Sequence, residues 1–221
     1  MSMVDYDGKI CSTIFLGKCN FRCPFCHNKD LLENNDKTEI SESEVFSYLA
    51  KRKGILDGVC ITGGEPLLQK DIEDFIRKVK DMGFIVKLDT NGSHPARLKR
   101  LIDNNLLDYI AMDVKDDFLN YDKTSGINRI NIENIKKSIE IIKNSKIEYE
   151  FRTTVVKELH NLEHLKNICD YIGKDVKYYI QNYRDCETVL TSGLSGFSEY
   201  ELKDIEEKLK LTYPNVIIRG I

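Results

Sequence analysis

The sequence lacks the features that would assign it to a membrane, secreted or nucleic-acid-binding class. No apolar run approaches the roughly 20 residues that a membrane-spanning helix needs. The N-terminal stretch MSMVDYDGKI lacks the basic-then-apolar pattern of a signal peptide. Lysines and arginines (33) nearly balance aspartates and glutamates (36), so there is no basic field for nucleic acid or for a membrane surface. We therefore expect a cytoplasmic protein with neither partner.

Long linkers and low-complexity stretches are also missing, which predicts a single domain over residues 1–221. Hydrophobic residues make up 41% and charged residues 31% of the chain, a balance typical of a globular domain with one large core. Seven cysteines are many for this length. Without a secretion signal they are expected to be reduced thiols, so metal or redox chemistry is the favoured explanation for a cluster of them.

Short β-branched and aliphatic runs alternate with helix-like stretches about six times. This alternation predicts an α/β fold with parallel strands and crossover helices. A complete eight-unit barrel takes about 250 residues, so we predict an incomplete (β/α)6 TIM-like barrel, with an open doubly wound sheet as the alternative. The predicted strands cover 9–17, 57–64, 84–92, 106–115, 146–156 and 175–183, with a short strand at 215–220. The predicted helices cover 40–54, 70–83, 95–105, 131–145, 162–173 and 198–210.

Polar or charged residues follow the C-terminal end of each predicted strand. They are the cysteine loop (residues 17–30), Glu65, Asp89, Asn91, Asp113, Lys115, Arg152 and the stretch QNYR at 181–184. Each alone has a structural explanation, such as a turn or a solvated lysine. Because the C-terminal ends of parallel strands meet at one rim, the whole set is expected to converge there and form a site.

The cysteine loop carries Cys19, Cys23 and Cys26 within eight positions. An even scatter of the seven cysteines would give only about 0.007 matches to CxxxCxxC, so the spacing is not accidental. A structural zinc ion needs four ligands, and His27 is poorly placed as the fourth because it adjoins Cys26. An iron–sulfur cubane with three thiolates keeps one iron open for an exogenous ligand. We favour the open cubane, with a non-catalytic zinc or electron-carrier module as the alternative.

These motifs together resemble a known family. CxxxCxxC with the aromatic Phe25 before the last cysteine, and GGEP at 63–66 after the second strand, resemble the radical S-adenosylmethionine (radical SAM) superfamily. DTNG at 89–92 and DVK at 113–115 are similar to the glycyl-radical-activating enzymes. The details CHN at 26–28, LDTNGS at 88–93, AMDVK at 111–115 and FRTTVV at 151–156 look most like the anaerobic ribonucleoside-triphosphate reductase activating proteins.

The resemblance implies the cofactors and the reaction. Cys19, Cys23 and Cys26 would hold one [4Fe–4S] cluster, since the ferredoxin-like insert of some activating enzymes has no counterpart here. The open iron would bind S-adenosylmethionine, whose reductive cleavage gives methionine and a 5′-deoxyadenosyl radical. No catalytic residue beyond the cluster and the cosubstrate is expected.

The implied partners are a glycyl-radical enzyme, with anaerobic ribonucleotide reductase favoured, and a low-potential electron donor such as flavodoxin or ferredoxin. The alternatives are another glycyl-radical enzyme of the pyruvate formate-lyase type or a small-molecule substrate. The polar loops 29–40 and 116–130 are candidates for the docking surface.

The residues expected to contact S-adenosylmethionine are Phe25, Gly63, Gly64, Glu65, Asp89, Asn91, Asp113, Lys115 and Arg152. The glycines would let the backbone approach the methionine end, and Glu65 would either bind the ammonium group or fix the loop. Lys115 and Arg152 would face the carboxylate.

The remaining candidates receive structural explanations. His27 and Asn28 are expected to fix the cysteine loop. Cys11, Cys60 and Cys169 are expected to pack as small hydrophobic side chains, whereas Cys186 has no assigned role.

Overall fold

The computed structural model describes residues 1–32 and 39–220, which contain one sheet of seven strands. The strands are β1 (Cys11–Leu16), β2 (Gly58–Gly63), β3 (Ile85–Thr90), β4 (Tyr109–Asp113), β5 (Glu148–Val155), β6 (Tyr178–Asn182) and β7 (Val216–Arg219). They stand in sequence order, and each pairs in parallel with the next. The predicted incomplete barrel is therefore confirmed. An order without reversal excludes the doubly wound alternative, and the short strand at 215–220 extends the sheet as β7.

Helices connect successive strands in the described part of the chain. They are α1 (Glu42–Ala50), α2 (Ile72–Asp81), α3 (Pro95–Asp103), α4 (Tyr121–Ser125), α5 (Ile132–Lys143), α6 (Leu162–Ile172) and α7 (Glu199–Lys210). Ser41 caps α1 and Ser198 caps α7, and in both cases a glutamate three residues later completes the capping box. None of the described helices has both the length and the apolar character needed to cross a membrane.

The core lies between the outer face of the sheet and the helices. Ile61, Leu88 and Ile110 on the strands are fully buried, as are Ile76 of α2 and Leu98 of α3. These residues alternate along each strand with side chains of the inner face, because successive residues of a strand point to opposite sides. The cysteines predicted to pack structurally, Cys11, Cys60 and Cys169, are all buried free thiols, while Cys186 is exposed.

Segment 116–130, predicted as a polar docking loop, is partly internal. It contains α4, whose Tyr121 is fully buried, and the carbonyl oxygen of Ser125 accepts a 2.8 Å hydrogen bond from the N–H of Arg22 in the cysteine loop. Leu119 is 91% exposed and remains available for a partner. Of the other candidate loop, 29–40, residues 33–38 lie outside the described residues.

The barrel is not closed by backbone pairing, since β1 and β7 are the two ends of the sheet in the described residues. Side chains connect the two ends instead. Arg219 of β7 lies 3.0 Å from a carboxylate oxygen of Asp7, which precedes β1, and 3.4 Å from one of Glu150. Glu150 is only 2% exposed and also accepts a 3.0 Å hydrogen bond from the hydroxyl of Tyr109. Ion pairs of Arg219 therefore link the two ends of the sheet, which do not pair with each other through their backbones in the described residues.

Replacing Arg219 by leucine should lower the free energy of unfolding by about 1–3 kcal/mol, because the buried carboxylate of Glu150 loses the nearer of its two cations and keeps only Arg152 at 3.9 Å. Urea denaturation followed by circular dichroism measures the change. The matched control is Arg77→Leu on α2, which removes an exposed ion pair with Glu73 and should cost less than about 1 kcal/mol. Equal effects of the two substitutions would contradict a role for Arg219 in joining the sheet ends.

Candidate functional site

A cavity of about 240 Å³ lies at the rim formed by the C-terminal ends of the strands. It is lined by the three clustered cysteines and by Phe25, Gly63, Gly64, Asp89, Asn91, Asp113, Lys115 and Arg152. Every residue proposed from the sequence for the cluster or the cosubstrate is in this set except Glu65. The convergence expected of a parallel sheet is thus observed, while the individual roles stay predictions.

The three thiols are spaced for a metal cluster better than for a single ion. In the described residues, the sulfur atoms of Cys19, Cys23 and Cys26 do not all lie within 4.8 Å of one another. Thiolates that share one tetrahedral zinc ion would be about 3.8 Å apart, given Zn–S bonds of about 2.3 Å. In a cubane each thiolate binds a different iron, which requires wider spacing. The donor set therefore fits a [4Fe–4S] cluster and disfavours the zinc module.

Burial keeps the thiols of Cys19 and Cys23 protonated. It raises the pKa of Cys23 to about 12 and raises that of Cys19 above its ordinary value. Metal ligands must be thiolates, so binding of a cluster would release these protons.

The end of β1 and the GGEP loop (residues 63–66) are joined through their backbones. The N–H of Gly64 donates to the carbonyl oxygen of Leu16 at 2.8 Å, and the N–H of Glu65 donates to that of Lys18 at 2.9 Å. A Cβ on Gly64 would overlap the Lys18 carbonyl group. Glycine is therefore required at position 64 because this backbone lies against the protein's own backbone at Lys18. Any close approach to a ligand would be an additional reason.

Glu65 faces away from the cavity and is fully buried. Its Oε1 accepts hydrogen bonds from the N–H of Leu67 and the hydroxyl of Thr90, at 3.0 and 2.9 Å, and its Oε2 accepts one from the N–H of Asn91 at 2.7 Å. Burial raises the pKa of Glu65 to about 7, against the effect of these donors. Since both oxygens are used inside the protein, the geometry favours loop fixing over binding of an ammonium group.

Asn91 continues this set of contacts to the cysteines. Its Nδ2 donates to Oδ1 of Asn20 at 3.0 Å and lies 3.8 Å from Sγ of Cys19. Asn91 thus holds the start of the cysteine loop, besides lining the cavity.

A second set of contacts holds the end of the cysteine loop. The N–H of Leu190, in the segment after β6, donates to the carbonyl oxygen of Cys26 at 3.1 Å. His27 stacks on Tyr183 with ring centroids 5.4 Å apart, and its Nε2 lies 2.7 Å from the carbonyl oxygen of Arg184. The Nδ2 of Asn28 donates to the carbonyl oxygen of Gly63 at 3.3 Å. These contacts agree with the loop-fixing roles expected for His27 and Asn28.

Five charged side chains form an alternating network on the inner face of the sheet. Lys87 lies 2.7 Å from Asp89, and Arg152 lies 3.0 Å from Asp89 and 2.8 Å from Asp113. Lys115 lies 3.0 Å from the second oxygen of Asp113. Arg152 also lies 3.9 Å from the buried carboxylate of Glu150, so the three cations of this set are balanced by three carboxylates. A ligand carboxylate would have to share Lys115 or Arg152 with Asp113.

The network determines the protonation of its members. Burial alone would raise the pKa of Asp113, but Arg152 and Lys115 hold it well below its ordinary value. Burial would lower the pKa of Lys115, but Asp113 raises it. Because the pKa of Asp113 is depressed in the folded state, its contribution to stability is present above about pH 4. That contribution is lost as the pH falls through the folded-state pKa.

Several cavity residues are absent from the set expected to contact S-adenosylmethionine, although Phe21 and Gln181 lie in stretches that the sequence places at the rim. They include Phe21, Thr62, Thr90, Thr154 and Gln181. Thr154 follows Arg152 by two positions and so shares its face of β5, which is a signal that the sequence does contain. Lys87, two positions before Asp89, could have been found in the same way.

Comparison with known proteins places the chain in a family. A family model described as "Radical SAM superfamily" matches residues 13–172, so the chain belongs to this superfamily. Its members use a [4Fe–4S] cluster and S-adenosylmethionine, which confirms the predicted cofactors and the prediction of a radical SAM enzyme.

Two relatives are similar over most of their length. A Methanocaldococcus jannaschii protein with the name "Putative glycyl-radical enzyme activating enzyme" is 36% identical over 100% of this chain and 93% of the relative. The pyruvate formate-lyase-activating enzyme of Clostridium pasteurianum is 27% identical over 95% of this chain and 86% of the relative. Streptococcus suis SuiB bound to S-adenosylmethionine shares the fold, with a TM-score of 0.71 at 15% identity. The match covers 96% of this chain and half (50%) of SuiB.

Gly64→Ala should reduce the iron bound after anaerobic reconstitution by at least half and lower the free energy of unfolding by about 1–3 kcal/mol, as overpacking commonly does. The added methyl group would push the end of β1 away from the GGEP loop and displace Cys19. Iron analysis and urea denaturation measure the two effects. Gly17→Ala is the control, since its nearest neighbour would be the carbonyl oxygen of Leu31 at 3.9 Å. Wild-type iron content in Gly64→Ala would contradict this role.

Glu65→Gln should destabilise the fold by about 1–3 kcal/mol, because its amide NH₂ must face a backbone N–H or the Thr90 hydroxyl that now donates to an oxygen. The measurement is the urea midpoint of the variant against Glu42→Gln, which changes an exposed ion pair of α1. If Glu65→Gln were as stable as the control, the buried carboxylate would not be fixing the loop.

Proposed function

We propose that this chain is a single radical SAM domain that generates a glycyl radical on anaerobic ribonucleoside-triphosphate reductase. The observation that carries the proposal is one cavity that combines three thiols spaced for a cluster, a glycine loop and a charge network. Two relatives have names that describe the activation of a glycyl-radical enzyme or of pyruvate formate-lyase, which supports this class of reaction. The stretches LDTNGS, AMDVK and FRTTVV support the reductase as the target.

Cys19, Cys23 and Cys26 would hold the [4Fe–4S] cluster. When bound, such a cluster supplies the electron that cleaves S-adenosylmethionine to methionine and a 5′-deoxyadenosyl radical. Around the thiols, Phe21 and Phe25 are 3% and 4% exposed and line the cavity. Their rings keep water from this side of the site, which so reactive a radical requires.

The charge network would bind and orient the cosubstrate. Lys115 and Arg152 supply N–H donors for the carboxylate, held in place beforehand by Asp113. Asp89 and Asp113 are acceptors for the ammonium group and for ribose hydroxyls. Glu65 and Asn91 act indirectly, by fixing the loops that carry Gly64 and Cys19. No side chain is required to exchange a proton with the substrate.

Access for a protein substrate is supported by the open sheet, since β1 and β7 do not pair with each other in the described residues. The sheet leaves one side of the barrel without backbone pairing in the described residues, next to a rim cavity that can receive a loop. Flavodoxin or ferredoxin would supply the electron. The Clostridium pasteurianum relative favours pyruvate formate-lyase as a second candidate target.

Anaerobic incubation of the reconstituted protein with S-adenosylmethionine, reduced flavodoxin or ferredoxin, and purified reductase tests the proposal. We expect a doublet EPR signal of a glycyl radical on the reductase and one 5′-deoxyadenosine per radical formed. Cys26→Ala should abolish both, whereas Cys186→Ala, which removes an exposed thiol outside the motif, should retain both.

The outcomes separate the alternatives. A doublet on pyruvate formate-lyase but not on the reductase would overturn the target and retain the reaction. Formation of 5′-deoxyadenosine without a radical on either protein would indicate a small-molecule substrate. Zinc alone after anaerobic purification, with no 5′-deoxyadenosine under dithionite, would overturn the whole proposal.

A further inference from the structure

A second group of metal-ligating side chains lies behind the rim cavity, between the end of β4 and α6. Asp116, Asp117 and His164 each place one ligand atom within 4.8 Å of the others. Asp116 is fully buried and Asp117 is 5% exposed, whereas the side chain of His164 is 16% exposed. None of these residues lines the rim cavity, and the radical reaction does not use them.

The buried carboxylate of Asp116 lacks a partner for one of its oxygens. Oδ1 accepts a 2.8 Å hydrogen bond from the N–H of Asp117, but Oδ2 has no hydrogen-bond partner among the described residues. Nδ1 of His164 lies 3.0 Å from Oδ1 of Asp116 but makes no well-aligned hydrogen bond in the described part of the chain, while Nε2 of the same ring lies 3.3 Å from Nδ2 of Asn120. A carboxylate oxygen buried in this way is costly unless a cation or a donor reaches it.

The neighbouring His160 makes no hydrogen bond to that oxygen. Its Nδ1 accepts a hydrogen bond from the N–H of Val156 at 3.1 Å, and its Nε2 lies 2.9 Å from the carbonyl oxygen of Lys115. Nε2 is 3.8 Å from Oδ2 of Asp116, which is too far for a hydrogen bond.

Asp117 is oriented as a ligating carboxylate commonly is. Its Oδ1 accepts from the N–H groups of Leu119 and Asn120, at 3.2 and 3.0 Å, and from Nδ2 of Asn120 at 2.8 Å. Its Oδ2 accepts from Nδ2 of Asn167 at 2.9 Å. A carboxylate oxygen with one donor keeps a lone pair for a further interaction, and such outer contacts typically fix metal ligands.

We propose that Asp116, Asp117 and His164 bind one divalent first-row metal ion that is distinct from the cluster. Two carboxylates and an imidazole are the donors that suit Mn²⁺ and related ions, whereas softer ions prefer thiolates. The 3.0 Å between Oδ1 of Asp116 and Nδ1 of His164 equals the separation of adjacent ligands about 2.1 Å from an octahedral ion. The ion would join the end of β4 to α6.

The two carboxylates also border a separate cavity. Asp116 and Asp117 form part of the wall of a separate cavity of about 380 Å³, whose other walls include Phe118, Ile168 and Tyr171. The polar end of this otherwise apolar cavity is the carboxylate pair together with Asn167. Two of the three proposed ligands therefore border this cavity, which none of the three clustered cysteines lines.

Titration with MnCl₂ tests the proposal on the reconstituted protein with its oxidised cluster. Bound Mn²⁺ loses the six-line EPR signal of the aqueous ion, and Mn²⁺ has little preference for thiolates that could mask the result. We expect one Mn²⁺ per chain and a higher melting temperature in its presence. His164→Gln and Asp116→Asn should each weaken binding at least tenfold. Glu163→Gln, an exposed neighbour on α6, should bind as the wild type does.

His164→Gln keeps the test decisive should Asp116→Asn fail to fold, because the imidazole is the more exposed ligand. An undiminished aqueous Mn²⁺ signal at millimolar wild-type protein would overturn the proposal. So would equal affinity of the wild type and His164→Gln. Neither outcome depends on whether the protein activates a reductase.

Discussion

The backbone contact between the end of β1 and the GGEP loop is the constraint on which the rest of the site depends. Lys18 accepts from the N–H of Glu65, and the carboxylate of Glu65 accepts from the N–H of Asn91. The side-chain amide of Asn91 in turn contacts Sγ of Cys19, the residue after Lys18. Three strand ends are thereby tied into one closed circuit around the first cysteine. Glycine is needed at position 64 because any side chain would open that circuit.

The same rim must hold buried charge, which is costly unless each ion is compensated. The alternating order of the network provides this compensation, since each aspartate lies between two cations. The cations at its two ends differ in their surroundings. Lys87 is 4% exposed inside the sheet, whereas Lys115 lines the cavity. Arg152 lines the cavity as well, so a ligand can meet the cations of the network at Lys115 and Arg152 but not at Lys87.

The sequence is sufficient to predict the barrel, the cysteine motif and the convergence of strand ends, because each follows from local patterns and from parallel pairing. The sequence is insufficient to assign the role of a polar side chain when that role depends on whether the side chain is buried. Glu65 could equally bind a ligand or a loop until its surroundings are known, and Asp116 reads as a solvated loop residue although it is fully buried. The contact of Leu190 with Cys26 uses backbone atoms, which no side-chain pattern encodes. The short helix α4 depends on tertiary packing of Tyr121.

An open barrel creates a conflict for radical chemistry, which needs both access and the exclusion of water. The aromatic rings of Phe21 and Phe25 protect the cysteine side of the cavity, but the edges of β1 and β7 are not paired with each other in the described residues. A loop of a protein substrate would cover the open side as it presents its glycine, and would thereby exclude water from the radical. On the proposed function, the substrate itself completes the barrel, so radical formation would be safest only after the partner has docked.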